Sequence, residues 1–482
     1  MINKMECLLF GLKIMKAIRN QIRFWARASF VAMFVTIFIS CSEKETEKPN
    51  IIFLLTDDHR WNALGVMGNP IIKTPHLDKL AREGVLFQNA YVTTAICMAS
   101  RASFLTGQYQ SRHGINDFKT SLGAEALKNT YPIILKKAGY RIGFIGKYGV
   151  GNPKDQPKSE YDFWECATKT QPDYDNTDEN GNYIHHTDKV DQDISRFLKQ
   201  YGQQTPFCLS VSFKAPHEQD GNPPEFIVQE RFKHLYENDS IPMPDTADPK
   251  YWESFPTFFR TNENIARSRW IPLFSTPALH QETVKNYYRL ITGVDEVVGN
   301  IMKQLKEKQL DKNTIIIFMG DNGFYLGEHG MEGKWYGHEE SIRVPLIIYD
   351  PRQGNEFKNI VSDQIALNID IAPTILGYAG VDAPEVMQGT DLRVLTSGKN
   401  KPLDRQDFFY EHTFMGSPQL PKVEGVVSRE LKYIKFIEHD YEELYDLKND
   451  PHEKINLAKE TSYQEQIIQL RNRYKELKEK VK

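Results

Sequence analysis

The sequence predicts an α/β protein with a large, mainly parallel or mixed sheet that is flanked by helices. Apolar runs of strand length alternate with helical patterns along the chain, and polar residues follow several of these runs directly. The 482 residues, of which 40% are hydrophobic, are enough to bury a large core. Continuous apolar runs are typical of strands that are buried on both faces, and the sites of such sheets lie beyond the carboxyl ends of the strands.

The predicted elements alternate in order along the chain. Strands are predicted at residues 50–56, 88–94, 141–145, 207–213, 314–319 and 344–349. Helices are predicted from Cys97 onward and at residues 130–138, 283–309 and 365–379. Beyond about Thr396, short strands at 408–410, 423–427, 432–437 and 443–447 precede a charged helix at 463–481, which predicts a smaller antiparallel subdomain.

The N-terminus has the composition of an export signal. Basic residues between Lys13 and Arg27 precede an apolar run at 30–39 that is too short to span a bilayer. The run ends in Ser40 and Cys41, which resembles a bacterial lipobox and implies cleavage before Cys41 and lipidation of that cysteine. A plain secretory signal is the alternative. We therefore expect a cell-envelope lipoprotein with a signal peptide at 1–40, a tether at 41–48, a catalytic domain at 49–395 and a C-terminal subdomain at 396–482.

The net charge limits the classes of partner that we expect, and the cysteine content limits the disulfides. The net charge of -4 gives no reason to expect a nucleic-acid partner, and contact with a membrane is expected only through the lipid anchor. Cys166 and Cys208 are interpreted as structural thiols, although they could pair in an oxidising compartment.

Polar residues follow four of the predicted strands. Asp57 and Asp58 follow the first strand, and Asp321 and Asn322 follow the strand at 314–319. Lys147 follows 141–145, and His217 follows 207–213 shortly after. Carboxylate and amide oxygens suit calcium or magnesium better than zinc. Turn formation explains any one pair alone, but it is a poor explanation for all of them together.

Cys97 opens a helix, and Arg101 lies four residues later on the same face. Free N–H groups at a helix start and a nearby guanidinium favour an anion such as phosphate or sulfate. A buried cysteine is by itself more often a small hydrophobic residue than a nucleophile.

Further motifs are Thr-Pro-His76, Gly327-Glu-His329-Gly, Lys334-Trp and Glu340-Ser-Ile-Arg-Val-Pro. These motifs occur in one chain together with Asp57-Asp58, Cys97-Met-Ala-Ser-Arg101, Gly146-Lys147 and Asp321-Asn322-Gly. In this set and order, the chain resembles the type I, formylglycine-dependent sulfatases of the alkaline phosphatase superfamily from residue 49 to about 458. The resemblance implies a bacterial polysaccharide sulfatase, a sulfuric ester hydrolase acting on a sulfated poly- or oligosaccharide, either algal such as ulvan or a glycosaminoglycan. It also implies a maturase that oxidises Cys97 to formylglycine (3-oxoalanine), whose hydrated aldehyde attacks sulfur.

The resemblance also assigns roles to individual residues. One Ca²⁺ is expected to be held by Asp57, Asp58, Asp321, Asn322 and an oxygen of modified Cys97. Arg101 and Lys147 match the pair that holds formylglycine. Lys334 matches a sulfate-binding lysine, and His217 matches the proton donor to the leaving oxygen.

Two positions depart from the family pattern. Ala99 stands where proline is frequent, and Gly149 stands where histidine commonly follows the lysine and an aromatic residue. The base that drives sulfate elimination is therefore unassigned. The candidates are His113, His185, His186 and His329.

Two segments are candidates for substrate specificity. Residues 151–189 are polar and irregular, and 216–277 are rich in proline and aromatic residues. The second segment offers either a sugar-binding surface or loop packing through Trp252, Phe255, Phe258, Phe259, Trp270, Arg260, Arg267 and Arg269. Two other functions remain open: a phosphonate or phosphate ester hydrolase of the same superfamily, and a glycan-binding lipoprotein in which Cys97 stays unmodified.

Overall fold

The apolar runs of the sequence form the strands of a large central sheet. A computed structural model of the chain describes residues 9–23, 48–178, 180–203, 206–354, 358–396, 402–416 and 419–482. The strands are β1 (Asn50–Asp57), β2 (Val85–Tyr91), β3 (Arg141–Gly146), β4 (Phe163–Cys166), β5 (Asp175–Thr177), β6 (Tyr183–His185), β7 (Phe207–Pro216), β8 (Thr314–Gly320), β9 (Tyr325–Leu326), β10 (Glu332–Gly333), β11 (Leu346–Tyr349), β12 (Ile360–Leu367), β13 (Asp407–His412), β14 (Val423–Ser428), β15 (Leu431–Phe436) and β16 (Tyr441–Asp446).

The helices lie between these strands and at both ends of the described chain. They are α1 (residues 9–23), α2 (Pro75–Arg82), α3 (Cys97–Thr106), α4 (Gln110–His113), α5 (Ala124–Lys128), α6 (Tyr131–Lys137), α7 (His186–Tyr201), α8 (Pro249–Glu253), α9 (Ile265–Phe274), α10 (Pro277–Glu307), α11 (Glu339–Ile342), α12 (Ile371–Tyr378), α13 (Arg393–Thr396) and α14 (Gln464–Val481).

The main sheet has eight strands in the order β12-β2-β11-β8-β1-β7-β3-β4. Strand β11 runs antiparallel to its neighbours β2 and β8, and the remaining pairs are parallel. This confirms the prediction of a large, mainly parallel sheet flanked by helices. Parallel strands place their carboxyl ends at one edge, so residues that follow β1, β3, β7 and β8 meet there.

Both faces of the sheet are covered. Ile51, Phe53 and Leu55 of β1 belong to one hydrophobic cluster, and Ile52 and Leu54 belong to the other. The first cluster contains side chains of α3, α6 and α12, whereas the second contains those of α2, α7 and α10. Burial on both faces explains why the β1 sequence reads as a continuous apolar run.

The C-terminal region forms a separate antiparallel sheet in the order β13-β14-β15-β16. Ile467 and Leu477 of α14 lie in the same hydrophobic cluster as Phe409 and Tyr433 of this sheet. The expected smaller antiparallel sheet and terminal helix are thus present. Residues 48–482 form one compact unit by contacts, so the division at 395/396 stays a prediction.

A buried ionic group joins this sheet to helix α11. The Lys432 Nζ atom of β15 lies 2.8 Å from Glu339 Oε1 of α11 and 2.8 Å from Glu453 Oε1. Burial and the nearby Glu453 raise the pKa of Glu443, on β16, to about 8. We call Lys432, Glu339, Glu453 and Glu443 the Lys432 group.

One predicted element is wrong in type over part of its length, and one strand has a direction that the sequence does not predict. The predicted helix at 365–379 begins only at Ile371, because Ile365, Ala366 and Leu367 end β12 and pair with β2. The Asp370 carboxylate accepts a hydrogen bond from the Leu367 backbone N–H at 2.8 Å and marks the change from strand to helix. The apolar run at 344–349 is a strand, but it is the antiparallel one.

The N-terminal predictions fall mostly outside the described residues. The apolar run at 30–39, Cys41 and tether residues 42–47 lie there, and lipidation of Cys41 therefore stays a prediction. The side chains of α1 are exposed. Within the described ranges, we find no helix with the length and apolar character that a membrane span requires.

Candidate active site

Four neighbouring strands bring the predicted site residues to one edge of the sheet. The strands β8, β1, β7 and β3 are adjacent in that order. Asp57 and Asp58 lie at the end of β1, and Asp321 and Asn322 follow β8. Lys147 follows β3, and His217 follows β7. The predicted convergence of these side chains is therefore what the topology produces.

Asp57 and Asp321 each form an ion pair with a basic side chain. The Lys147 Nζ atom lies 2.5 Å from Asp57 Oδ2, and Arg101 Nη2 lies 2.8 Å from Asp321 Oδ2. The same guanidinium is oriented by β3 and β7, since it donates hydrogen bonds to the Lys147 carbonyl at 2.8 Å and to the Ser212 hydroxyl. Arg101 comes from α3, so this helix is tied to the ends of three strands.

The Asp58 carboxylate forms an ion pair and several hydrogen bonds with neighbouring side chains. Lys334 Nζ lies 2.6 Å and 2.7 Å from its two oxygens, and Asn322 Nδ2 donates to Asp58 Oδ1 at 2.5 Å. Its backbone has a φ of 62°, which is uncommon for a residue other than glycine. The Asp58 N–H donates to Asp321 Oδ1 at 3.0 Å, and the Tyr287 hydroxyl donates to the Asp58 carbonyl at 2.7 Å. These bonds fix a strained position whose carboxylate faces the other acids.

The pKa values of the three aspartates are pushed apart. Burial alone raises the pKa of Asp57, but Lys147, His217 and Arg101 hold it well below its ordinary value. Burial raises the pKa of Asp58 in spite of Lys334. Burial and the neighbouring Asp57 raise the pKa of Asp321 to about 7. The negative charges of neighbouring aspartates repel one another, so a divalent cation bound among them would favour the ionised forms of all three.

The donor atoms at this edge fit a hard metal ion. Asp57 Oδ1 and Asn322 Oδ1 are buried and have no hydrogen-bond partner within the described part of the chain. Ligand atoms of Asp57, Asp58 and His217 lie within 4.8 Å of one another. Carboxylate and amide oxygens of this kind are the ligands that calcium prefers, and an unpaired buried oxygen is costly unless something binds it. The predicted set of Asp57, Asp58, Asp321 and Asn322 therefore offers donor atoms that suit a hard divalent cation, and calcium as that ion stays a prediction.

Cys97 begins α3 and faces a cavity. It is buried and unpaired, and the preceding Ile96 has extended backbone angles. Together with Lys147, His217 and Lys334 it lines a cavity of about 380 Å³. Burial raises the pKa of the Cys97 thiol, although Lys147 and Lys334 oppose this. An unmodified thiol here is thus a poor nucleophile at neutral pH. Cys166 and Cys208 are also unpaired.

His217 presents a defined nitrogen to the site. Its Nδ1 donates to the Glu218 carbonyl at 2.6 Å, because a carbonyl can only accept, and its Nε2 lies 3.5 Å from Asp58 Oδ2. Burial and the Lys334 charge lower the pKa of His217 well below its ordinary value. Nε2 is therefore the atom that can exchange a proton with a molecule in the cavity.

The four histidines that are candidates for the elimination base make contacts outside the Cys97 cavity. His113 makes hydrogen bonds with the Ser103 hydroxyl and the Ile115 N–H. His185 Nε2 donates to the Ile227 carbonyl. His329 stacks on His338 with ring centroids 4.6 Å apart, and burial lowers the pKa of His186 to about 3. The lining of the Cys97 cavity includes none of the four, whereas it includes His217.

Gly149 leaves no room for a side chain beside the site. Its φ of 72° is left-handed, and a Cβ atom there would lie 2.6 Å from Arg101 Cδ and 3.4 Å from Lys147 Cε. Gly149 also lines the Cys97 cavity. The position of Arg101 therefore depends on glycine at 149.

The aromatic and basic segment after β7 is used in two ways. Much of it is packing: Phe255 and Phe259 are buried, and the Arg267 guanidinium lies 3.9 Å from the Trp270 ring centroid. Arg269 differs, because it lines the Cys97 cavity and forms ion pairs with buried Glu218 and, at 3.1 Å, with Glu332.

Several residues near the site are not found by sequence reasoning. Ser212 and Tyr287 orient Arg101 and Asp58, and Gln171 and Asp220 line the cavity. Asp220 follows His217 by three residues, which is the one sequence signal available. Gln171 lies in the irregular segment at 151–189, which predicts a specificity loop without selecting a residue.

Comparisons with known proteins agree with this geometry. A family model described as Sulfatase matches residues 49–381, and one described as N-sulphoglucosamine sulphohydrolase, C-terminal, matches 327–480. An N-acetylglucosamine-6-O-sulfatase of Bacteroides thetaiotaomicron is 28% identical, covering 89% of this chain and 86% of that protein. An ulvan-active sulfatase of Formosa agariphila is 30% identical, covering 87% of this chain and 80% of that protein. A structure solved with its substrate D-glucosamine-2-N,6-O-disulfate is similar with a TM-score of 0.76 and 26% identity, covering 90% of this chain and 98% of the other.

Proposed function

The chain belongs to the sulfatase family, and we propose that it removes sulfate from a sulfated poly- or oligosaccharide with formylglycine at position 97 and one Ca²⁺. The observation that supports this most is the cavity in which Cys97 meets Lys147, Lys334 and His217, beside the three aspartates. The relatives named as N-acetylglucosamine and ulvan sulfatases support a glycan as substrate.

The residues of the chain divide the reaction between them. Formylglycine supplies a nucleophilic oxygen as its hydrate, and Ca²⁺ supplies charge that neutralises sulfate oxygens. Lys147 and Lys334 provide cations at the cavity wall, where the negative charge of a sulfate ester would lie. His217 Nε2 lies at the cavity, and it can give a proton to the leaving oxygen only from the imidazolium form, because Nδ1 keeps its own proton in the bond to the Glu218 carbonyl.

Mass spectrometry and turnover test the proposal together. The protein is produced with a formylglycine-generating maturase, and the peptide that contains position 97 is weighed intact. We expect the mass of formylglycine, and hydrolysis of an aryl sulfate faster than of the matching aryl phosphate or phosphonate ester. A faster phosphonate reaction would favour the alternative hydrolase. An unmodified Cys97 with glycan binding and no turnover would favour the glycan-binding protein.

The metal is tested by its removal. Dialysis against a chelator should lower aryl sulfate turnover and thermal stability, and Ca²⁺ should restore both. The Asp321→Asn variant should weaken calcium binding by at least about tenfold in calorimetry, because it removes one of the charged ligands. Calcium binding of Asp321→Asn equal to that of the wild type would contradict the assignment.

We further propose export and lipid anchoring at Cys41, which the residue pattern at 30–41 supports. Labelling cells with a tagged palmitate should mark the protein, and Cys41→Ser should abolish the label. A labelled Cys41→Ser variant would contradict the anchor at this position.

A further inference from the structure

The cavity beside Cys97 is also lined by residues outside the predicted catalytic set, which we call the second wall. This wall carries Gln171, Asp220 and Arg269, and the apolar side chains of Phe414, Leu420 and Ile265 line the same cavity. Polar groups on one side and an apolar surface on the other are typical of a site for a small polar ring. The wall is built from separate segments, namely the loop after β4, the loop after β7 and helix α9.

Gln171 has a side-chain amide without a partner. Its Oε1 and Nε2 atoms are both buried, and neither has a hydrogen-bond partner within the described ranges. Buried side-chain amides are normally bonded, because an unmade hydrogen bond is costly. An amide offers one acceptor and two donors, which matches the hydroxyl and acetamido groups of a sugar.

Asp220 lies next to the residue that faces the leaving oxygen. Its carboxylate is on an exposed residue, and its ligand atoms lie within 4.8 Å of those of His217 and Glu218. A ring attached to the leaving oxygen would therefore be within reach of Asp220. A carboxylate accepts hydrogen bonds from sugar hydroxyls without a change of protonation.

The charges of this wall are mixed, and Asp220 supplies its negative charge. Arg269 is paired with Glu218 and Glu332, so its positive charge is already compensated. Asp220 is the acidic residue among those that line the cavity, and the Lys214 ammonium is near enough to interact with it. The cationic groups Lys147 and Lys334 lie beside Asp57 and Asp58, at the end that would receive the ester sulfate. A second anionic group on the ring would thus meet a like charge where it faces the Asp220 carboxylate.

We propose that Gln171 and Asp220 are the specificity-determining residues of this enzyme and that they bind the sugar ring bearing the sulfate ester through its hydroxyl or acetamido groups. The Asp220 carboxylate disfavours a second anionic group on the ring, so the site selects a ring that carries one sulfate. The inference rests on the proposed function, because it places the scissile ester at Cys97.

Turnover by the matured enzyme tests the substrate class. The substrates are a panel of monosulfated neutral hexoses and N-acetylhexosamines, D-glucosamine-2-N,6-O-disulfate and 4-nitrophenyl sulfate. We expect kcat/KM for the best monosulfated sugar to exceed that for the disulfated sugar by at least about tenfold. Preference for the disulfated sugar, or turnover of the aryl sulfate with none of the monosulfated sugars, would overturn the proposal.

Variants test the two residues separately. Gln171→Ala should lower kcat/KM for the best sugar by about tenfold or more, and it should affect the aryl sulfate less, because the aryl ring lacks groups that bind the amide. Asp220→Asn should raise the ratio of disulfated to monosulfated turnover by about tenfold. The control Asp239→Asn, at another exposed aspartate outside the cavity, should alter neither ratio.

The outcomes separate this inference from the function on which it rests. A matured protein that hydrolyses no sulfate ester would contradict the proposed function itself. An active enzyme whose Gln171→Ala variant loses sugar and aryl sulfate turnover equally would overturn only the specificity role. Calorimetry with Ca²⁺ alone provides a further check: loss of a second bound ion in Asp220→Asn would make the group of His217, Glu218 and Asp220 a metal site, and would also overturn the inference.

Discussion

Buried carboxylates surround lysines at two places in this molecule, beside Cys97 and in the Lys432 group. At the first place, Asp57 and Asp58 pair with Lys147 and Lys334, which line a cavity with Cys97. At the second, Lys432 is fully buried between Glu339 and Glu453 and joins the C-terminal sheet to α11. Lysine–carboxylate ion pairs thus face a cavity in the first region, whereas they connect two segments of the chain in the second. Substitutions should affect catalysis in the first region and folding stability in the second.

The largest expected effect is at Cys97. The Cys97→Ala variant should lower aryl sulfate turnover by at least about 10⁴-fold, because it removes the residue that carries the nucleophile. The thermal midpoint should change little, since the side chain becomes only slightly smaller. Cys97→Ser should be equally inactive in a host that lacks a serine-modifying maturase, and full activity of that variant would refute the covalent scheme.

The Lys432 group should respond in the opposite way. Lys432→Met leaves Glu453 buried without its cation and Glu339 paired with Arg343 alone, and it should lower the free energy of unfolding by about 3–5 kcal/mol. Denaturant unfolding measures this change. The matched control Lys435→Met, on the same strand but half-buried, should cost less than about 1 kcal/mol. Equal losses in the two variants would mean that the buried ion pairs are not what joins these segments.

Lys334 sharpens the contrast from the catalytic side. Lys334→Ala should lower kcat/KM for an aryl sulfate by about 10²–10³-fold, because a cation that faces the developing charge is lost. Lys303→Ala on the exposed face of α10 is the control and should leave kcat/KM unchanged. Wild-type kcat/KM in Lys334→Ala would remove this residue from the catalytic set.

The smallest expected effect, counted per pH unit, is a dependence of folding stability on pH. Folded Glu443 keeps its proton up to about pH 8, whereas an ordinary glutamate loses it near 4.5. The folded state therefore binds more protons between these values, and Glu443 makes stability fall by up to about 1.4 kcal/mol per pH unit as the pH rises through this window. Glu443→Gln should flatten the curve of unfolding free energy against pH between 5 and 8. An unchanged slope in this variant would show that Glu443 titrates normally.

The sequence predicts the sheet well where one residue pattern decides the structure. The runs at 50–56 and 314–319 are buried on both faces, so their composition indicates strands, and the aspartates after them mark the edge. The direction of β11 is not encoded in its own apolar run, because direction follows from the connections on either side. The end of β12 is misassigned because Ile365 and Leu367 suit a helix and a strand equally until pairing with β2 decides.

The site is predictable only in part for a related reason. Asp57, Lys147 and His217 directly follow strands or lie a few residues beyond them, so spacing along the chain finds them. Gln171 and Arg269 come from irregular or short elements, and only the folded chain brings them to the cavity of Cys97. Ser212 lies inside β7, where its pattern indicates nothing beyond a buried strand residue.

The close approach of Arg101 to Gly149 restricts how such an enzyme could change over evolution. A histidine introduced at 149 would collide with the arginine before its ring could reach the cavity. A histidine at 149 therefore requires another path for the arginine side chain, and glycine at this position is what permits the present one. The single substitution Gly149→His should thus lower turnover, because it would displace Arg101 from Asp321.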